Sequence, residues 1–504
     1  MKNEPETTAT SRPGVPVRRS RARLPAPPWP GGRARNVDRP AHRARLAPRA
    51  HLRRAGDLVI ERDPTTGRVA STHLVSGQVV DSTQHDPDFG LVAHYAALVG
   101  GNEVYAYDIT GRDALGRITT KTERTQGEVH TWAYGYDLAG RLVDVWKDGN
   151  DLAHRVSHYD YDANGNRLAK VTLDGTTMGT YDAQDRIKTY GTLSYTFTAN
   201  GELATKTDTA TGDVTEYTYD ARGNLKRVVL HAGAPGQKTI DYVVDGLNHR
   251  MWKKVDGVAV KGWLWRDALA PVAELDGAGN VTATFVYGGK VNVPEYVVTP
   301  TARLRVVTDH LGSPHALVDE ATGAVVMRAD YDEFGNVSVT PPGAAGMVAF
   351  GFAGGIWDPE TGLVRFGARD YDPGAGRWTA PDPVRFDGGD SNLHAYAASN
   401  PINATDPSGA WLFTGPFLAD CGPGTLCSAI RDAINGFLPQ QPAPVHFGTC
   451  PADDNDGKPK CTFAGKIFNI MYMAPVCLYQ CPNGKLYKLQ LEKADAPCPS
   501  AVAQ

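Results

Sequence analysis

The chain has 504 residues, with 52 Lys and Arg against 56 Asp and Glu, a formal net charge of −4. That length accommodates two or more domains around a large core, and the near balance of charge excludes a chain built as a whole to bind nucleic acid. No apolar run reaches the length of a membrane span, and no apolar stretch near the N-terminus matches a signal peptide, so any export is expected to use a route without that mark.

Residues 1–55 hold 13 Arg among Pro, Ala and Gly, a composition that cannot build a core and predicts a disordered basic arm. Such arms can bind nucleic acid or anionic lipid, but no aromatic platform accompanies this one. A solvated tail is the simpler reading, and translation starting further along is a second. From residue 56 to about 300 the chain becomes a repeat. Its unit is Tyr-Asp, a short turn with Gly or Asn, an Arg or Asn, then an aliphatic residue. Tyr136-Asp137 leads to Gly140-Arg141-Leu142, Tyr161-Asp162 to Gly165-Asn166-Arg167-Leu168, Tyr181-Asp182 to Asp185-Arg186-Ile187, and Tyr219-Asp220 to Gly223-Asn224-Leu225. Weaker copies stand at Tyr107, Phe197 and Asp245. The first three clear copies are spaced 25 and then 20 residues apart, a period that marks an array of supersecondary units.

Each position in the unit has a physical reason. His158-Tyr159-Asp160-Tyr161 and Glu216-Tyr217-Thr218-Tyr219 alternate polar with aromatic residues, the pattern of a half-buried strand. Tyr brings a large ring to the stack and a hydroxyl to a wet edge. Asp accepts backbone N–H groups at the start of the turn, and Gly supplies the positive φ. One hairpin is unstable alone, so neighbours must pair into a continuous sheet whose edges need cover. Asp162-Ala163-Asn164-Gly165-Asn166 also resembles the start of a calcium loop, but the Gly comes too early and no Glu follows in place, so a structural turn is expected.

Residues 251–300 read as further strands marked by Trp263, Trp265 and Tyr287. In 307–336, Gly323 marks a hairpin between Leu317-Val318 and Val325-Val326-Met327. Asp309, His310 and His315 could serve a metal or act as a general base. With no third ligand at a matching spacing, satisfied polar groups at a turn are the expectation. Residues 365–410 then gather Asp370, Asp372, Asp382, Asp387, Asp390 and Asp406 among Gly and Pro, too irregular for a helix. Such a carboxylate-rich boundary reads either as a rigid plug or as a self-processing site.

The Tyr-Asp units together with DHLGSPHALVD (309–319), ADYDEFGN (329–336), DPETGLVRFGARDYDPGAGRWTAPDP (358–383) and LHAYAASNPINATDPSG (393–409) resemble bacterial RHS/YD-repeat proteins and their repeat-associated core domain. The likeness spans about residues 100–410. It implies a mainly β fold: an antiparallel YD-repeat strip (56–300) curling into a partial shell, closed by the core domain (301–410). It further implies an aspartyl protease in the core that cuts its own chain after the DPxG-hydrophobic motif and frees a variable C-terminal toxin held as cargo. Carried over, the acids are Asp370 and Asp382, with Arg369 beside them, and the scissile bond is Ala410–Trp411. Two carboxylates in one site split their pKa values, so one can activate water while the other protonates the leaving group. A hairpin turning at Asp372–Gly376 places Asp370 opposite a residue near Trp378, and Asp382 reaches it only if the chain bends back. Turn-capping in a plug is the bland alternative. Two departures stand out. Ala410 replaces the large aliphatic residue usual after DPxG, so cleavage is expected to be slow or absent. The repeats are few, so the chain reads as a C-terminal fragment or as one part of a shell that another polypeptide completes, as in insecticidal toxin complexes.

Residues 411–504 read as a small α+β cysteine-rich domain, with all seven cysteines: Cys421, Cys427, Cys450, Cys461, Cys477, Cys481 and Cys498. Leu426 to Phe437 follow helical spacing, and 465–492 read as two strands around Cys481-Pro482-Asn483-Gly484. Disulfides are favoured over zinc through Cys477 and Cys481, because only His446 offers a nitrogen ligand. His446, Asp453, Asp454 and Asp456 read as loop residues. With seven basic and seven acidic residues, no nuclease is indicated for the tail. The expected protein is a secreted or cell-surface bacterial shell without a cofactor. Its partners are its own tail, a second shell-forming polypeptide or an immunity protein. A non-cleaving adhesion protein, as in the related teneurins, and a truncated cassette are the alternatives.

Overall fold

The computed structural model describes residues 58–75 and 77–410 in full, and the backbone of the strands Phe413–Thr414, Thr462–Asn469, Ala474–Gln480 and Leu486–Gln490. The basic arm, the tail helix, Trp411, His446, Asp453, Asp454, Asp456 and the cysteines other than Cys477 lie outside the described residues. Cys477 stands in Ala474–Gln480, whose side chains are not described, so no disulfide pairing is assigned. The strands Ala474–Gln480 and Leu486–Gln490 pair antiparallel across the Asn-Gly segment, and Thr462–Asn469 pairs on the other side of Ala474–Gln480.

From Leu58–Arg62 to Val337–Thr340 runs one 26-stranded antiparallel sheet in which every strand pairs with its neighbours in sequence. The described helices are single 3-10 turns. Among the described residues the first and last strands each have one partner, so there the sheet does not close into a hydrogen-bonded barrel. It continues across residue 300: the strands Arg303–Thr308, Pro314–Asp319, Val325–Tyr331 and Val337–Thr340 are its last four, and Val318 pairs with Val325 around the Gly323 turn.

The repeat motif builds this ladder directly. In the Tyr-Asp turns at Asp162, Asp182 and Asp220 the carboxylate accepts backbone N–H groups from two and four residues on. Asp162 Oδ1 takes those of Asn164 (2.9 Å) and Asn166 (2.9 Å), which accounts for the calcium-like spelling as a turn. The residue at the fourth position returns to the same carboxylate: Arg141 Nε to Asp137 at 2.6 Å, Arg186 Nε to Asp182 at 2.7 Å, Asn280 to Asp276 at 3.0 Å. Gly140 sits at φ 88°, and Asp185 takes the same left-handed place at 60°. One repeat then locks onto the next. The Tyr136 hydroxyl donates to the Ile118 carbonyl at 2.6 Å, Tyr161 to Leu142 at 2.9 Å, and Tyr181 to Arg167 at 2.8 Å. The Arg of the preceding turn lies over the ring, Arg117 on Tyr136 at 4.6 Å and Arg141 on Tyr161 at 4.9 Å. Trp265 and Tyr287 hold the same rung, donating to Arg250 (3.0 Å) and Pro271 (2.8 Å), so they are ladder residues in divergent repeats.

Early and late strands pack together. Val79, Tyr95, Ala97 and Tyr105 share a core with Val307, Ala316 and Val318. Buried Arg305 reaches Asp81 and Thr72, and Arg328 pairs with Glu128 at 2.6 Å. After Thr340 the chain changes character. A small sheet of Ile356–Trp357, Val364–Phe366, Arg369–Asp372 and Arg377–Trp378 surrounds the buried rings of Phe352, Phe366, Tyr371, Trp378 and Tyr396. Polar side chains dock this core segment on the repeat turns: Arg377 to Asn166 (3.0 Å), Arg365 to Asn224 (2.7 Å), Asn392 to the Asn164 carbonyl (3.1 Å).

Candidate functional site at the core boundary

The strand Arg369–Asp372 pairs Tyr371 with Trp378 and Asp372 with Arg377, and the Thr379 N–H donates to the Asp370 carbonyl at 2.9 Å. Side chains alternate across a strand, so Arg369 and Asp370 face opposite ways. Asp370 is clamped between two arginines, with Oδ1 on Arg250 Nη2 at 2.6 Å and Oδ2 on Arg365 Nη1 at 2.9 Å. Arg369 gathers the other groups. Its Nη2 meets Asp382 Oδ2 at 2.8 Å and Asp406 Oδ2 at 3.1 Å, its Nε donates to the Gly409 carbonyl at 2.6 Å, and its guanidinium lies 4.1 Å from the centre of the Trp378 ring. The carboxylates brought together are therefore Asp382 and Asp406. Asp370 and Asp382 are not joined.

The Asp406–Ala410 turn is held from several sides. Asp406 Oδ1 accepts the Ser408 hydroxyl (2.9 Å) and the Ala410 N–H (3.2 Å). The Ala368 N–H donates to the Ser408 carbonyl at 2.9 Å. Gly409, at φ 64°, lies so close that a Cβ there would stand 2.3 Å from the Phe366 carbonyl oxygen. Beyond the turn, Phe413–Thr414 pairs back on Ala404–Thr405, which puts Ala410 within a hairpin connection. The Ala410 carbonyl is the informative atom. A Cβ on Gly388 would lie 2.8 Å from Asp382 Oδ2 and 3.2 Å from the Ala410 oxygen, so carboxylate and carbonyl share the space that the missing side chain leaves.

Burial pushes the Asp382 carboxyl up to about 6, against the pull of Arg369, and the Asp406 charge adds to the rise. Asp390 is also raised by burial. His394, buried beside Arg377 and Arg369, is pushed down to about 3 and stays neutral. Asp382, Arg369, Phe386 and His394 line a cavity of about 840 Å³ whose other wall is made of repeat turns carrying Arg186, Glu202 and Arg222. A carboxyl with a raised pKa that borders the same space as an amide carbonyl, with a second carboxylate on the same guanidinium, suits general acid and base work on that amide.

A sequence profile of the Teneurin YD-shell family matches residues 39–402. The chain belongs to the teneurin YD-shell family. Its relatives include Teneurin-3 of Danio rerio (27% identical over 349 residues, 66% of this chain and 12% of that protein). The tRNA nuclease WapA of Bacillus subtilis is 29% identical over 284 residues, 54% of this chain and 12% of that protein. The double-stranded DNA deaminase toxin A of Burkholderia cenocepacia is 26% identical over 431 residues, 77% of this chain and 28% of that protein. The YD-shell chain thus spans about an eighth of the length of the teneurins it matches. Among solved structures, a crystal structure of TcdB2-TccC3-TEV aligns with a TM-score of 0.43 at 15% identity, covering 70% of this chain and 21% of that one.

Elsewhere in this YD-shell chain, Asp309 accepts the Leu311 (2.9 Å) and Ser313 (2.8 Å) N–H groups, and His310 Nε2 bonds the Ile402 carbonyl at 2.9 Å. His315 stacks on Tyr105 at 4.5 Å and lies 3.7 Å from Asp309. Among the described residues no His, Cys, Asp or Glu grouping suits a metal, and no helix is long and apolar enough to cross a membrane. Of Asp372, Asp387 and Asp390, the first pairs with Lys206 at 3.2 Å and the last caps the Asn392 N–H at 2.8 Å. Not anticipated from the sequence were Asp406, which shares Arg369 with Asp382, and Gly388, which borders Asp382 and the Ala410 carbonyl. Asp406 stands in an Asp-Pro pair as Asp382 does, but so do Asp358 and Asp372, so that pair did not single it out.

Proposed function

We propose that this chain is a toxin-shell protein whose core segment cuts its own backbone at Ala410–Trp411 and releases residues 411–504 as an effector. The observation that carries the reading is that the Ala410 carbonyl and the Asp382 carboxyl border one space at Gly388, with Asp406 on the same Arg369 nitrogen. In the proposed step, protonated Asp382 hydrogen-bonds the Ala410 oxygen while a carboxylate takes a proton from water. Water oxygen bonds to the Ala410 carbonyl carbon, the proton taken from water passes on to the Trp411 nitrogen, the bond between that carbon and nitrogen breaks, and the nitrogen leaves as a new amino terminus. Arg369 positions both carboxylates and the Gly409 carbonyl. Asp370 holds the strand from its other face. Support for a toxin role comes from the bacterial relatives, named as a tRNA nuclease and a DNA deaminase toxin. A strip curled around its own tail, release outside the producing cell and a protecting immunity protein complete the proposal.

One observation favours a second reading, a non-cleaving adhesion shell. Asp406 is committed to the turn through Ser408 and Ala410, and Ala410 offers little side chain to a specificity pocket. A denaturing gel with mass spectrometry of the purified chain separates the two. A fragment beginning at Trp411, absent in Asp382→Asn, supports self-cleavage; an intact chain under all conditions supports adhesion.

A further inference from the structure

The geometry points to Arg250 of the repeat array as a positioning residue for the self-cleavage site, acting through Asp370. This rests on the self-cleavage reading and adds a regulatory consequence: the cut waits until the array has docked on the core.

Arg369 and Asp370 are consecutive on one strand, with side chains on opposite faces, so whatever fixes Asp370 sets the phase of Arg369. Asp370 is held from the array. Arg250 opens the strand Arg250–Val255, and its Nη2 reaches Asp370 Oδ1 at 2.6 Å, both side chains 1% exposed. Arg365 takes the other oxygen and binds two repeat turns, at Asn224 Oδ1 (2.7 Å) and the Asn248 carbonyl (3.3 Å). Arg250 is itself immobilised. Its guanidinium lies 3.6 Å from the centre of the Tyr242 ring, and the Tyr242 hydroxyl donates to Asp358 at 2.5 Å.

Two buried guanidiniums on one carboxylate are costly to desolvate, and their return is directional: a pair of charge-assisted bonds fixes the carboxylate plane. Through one residue of strand this sets Arg369, which in turn holds Asp382, Asp406 and the Gly409 carbonyl. An undocked array leaves Asp370 without Arg250, and the strand loses the contact that aims Arg369. A chain whose repeats have not folded around the core therefore keeps its tail attached.

The test follows cleavage of the full chain over time, alongside hydrogen exchange at the Ala368 and Ala410 amides. Arg250→Met is expected to slow cleavage about 10- to 100-fold, the scale of a misplacement near 1 Å, and to speed exchange at both amides. Arg250→Lys, which keeps a charge for Asp370, is expected to recover most of both. Arg250→Met combined with Asp370→Asn should be no slower than Asp370→Asn alone, because both act on one contact. Cleavage by Arg250→Met at the unaltered rate, or multiplying effects in the double variant, would overturn the inference. If Arg250→Met fails to fold, the comparison of Arg250→Lys with Asp370→Asn carries the same test. If the unaltered chain is never cut, the self-cleavage reading fails. The exchange data then decide positioning alone: unchanged amides in Arg250→Met overturn it.

Discussion

Aspartates at turns serve both the repeat array and the core boundary, and the two regions use them in opposite ways. In the array, turns such as those at Asp276 and Asp86 stand partly open to water. Hydrogen bonds from the Asn280 side chain and N–H hold Asp276 below the usual carboxylate range, and the N–H groups of Phe89 and Asp88 do the same for Asp86. At the core boundary, Asp382 caps a similar turn through the Val384 N–H at 2.9 Å, yet burial lifts it to about 6. The same local motif gives a charged structural cap in one place and a protonatable group in the other. Burial raises Asp382, whereas Asp309, a buried turn aspartate, is held low against burial by its bond to His315 and the nearby His310, so burial and neighbouring groups decide together.

The largest effect is expected at Asp382. Asp382→Asn is expected to reduce release of the tail by about 10²-fold or more, read on a denaturing gel, since it removes the protonatable group and keeps the shape. Gly388→Ala places a methyl group where the carboxyl and the Ala410 carbonyl meet, and a drop of about tenfold is expected without loss of fold. Ala410→Leu should raise the rate by about tenfold if a pocket receives that side chain, the scale of a few buried methylenes. The pH profile sharpens the contrast. The folded pKa of Asp382 lies above its unfolded value, so its contribution to stability is full below the unfolded pKa and is lost as pH rises through about 6. Cleavage that uses its protonated form should decline over the same rise. Asp276 runs the other way: its contribution is present above the unfolded pKa and lost as pH falls through the depressed folded value. The smallest effect is expected in the ladder. Tyr161→Phe removes one bond to the Leu142 carbonyl and should cost about 1 kcal/mol in thermal or denaturant unfolding, with the cleavage rate unchanged.

Much of the fold was legible because its rules are local. Alternation around Tyr159 and Tyr217, the Asp turn and the left-handed Gly each act within a few residues, so the repeat units translated directly into hairpins. Trp265 and Tyr287 were harder to place, since a rung depends on a carbonyl 15 or 16 residues back, not on the Tyr-Asp spelling. The opposition of Asp370 to the stretch at Trp378 also followed from turn length. The pairing of carboxylates did not. Asp382 meets Asp406 only because Arg369, 37 residues before Asp406, binds both. The sequence by itself determined a mainly β ladder, the boundary at which its chemistry changes, and the residues present there. The tertiary structure decided which face of the Arg369–Asp372 strand looks at the Asp406–Ala410 turn, and therefore which acids share a partner. Strand alternation is a local rule, but the identity of what lies on each side is set by docking against Arg250, Asn224 and the Gly409 turn, contacts made between residues up to 141 positions apart.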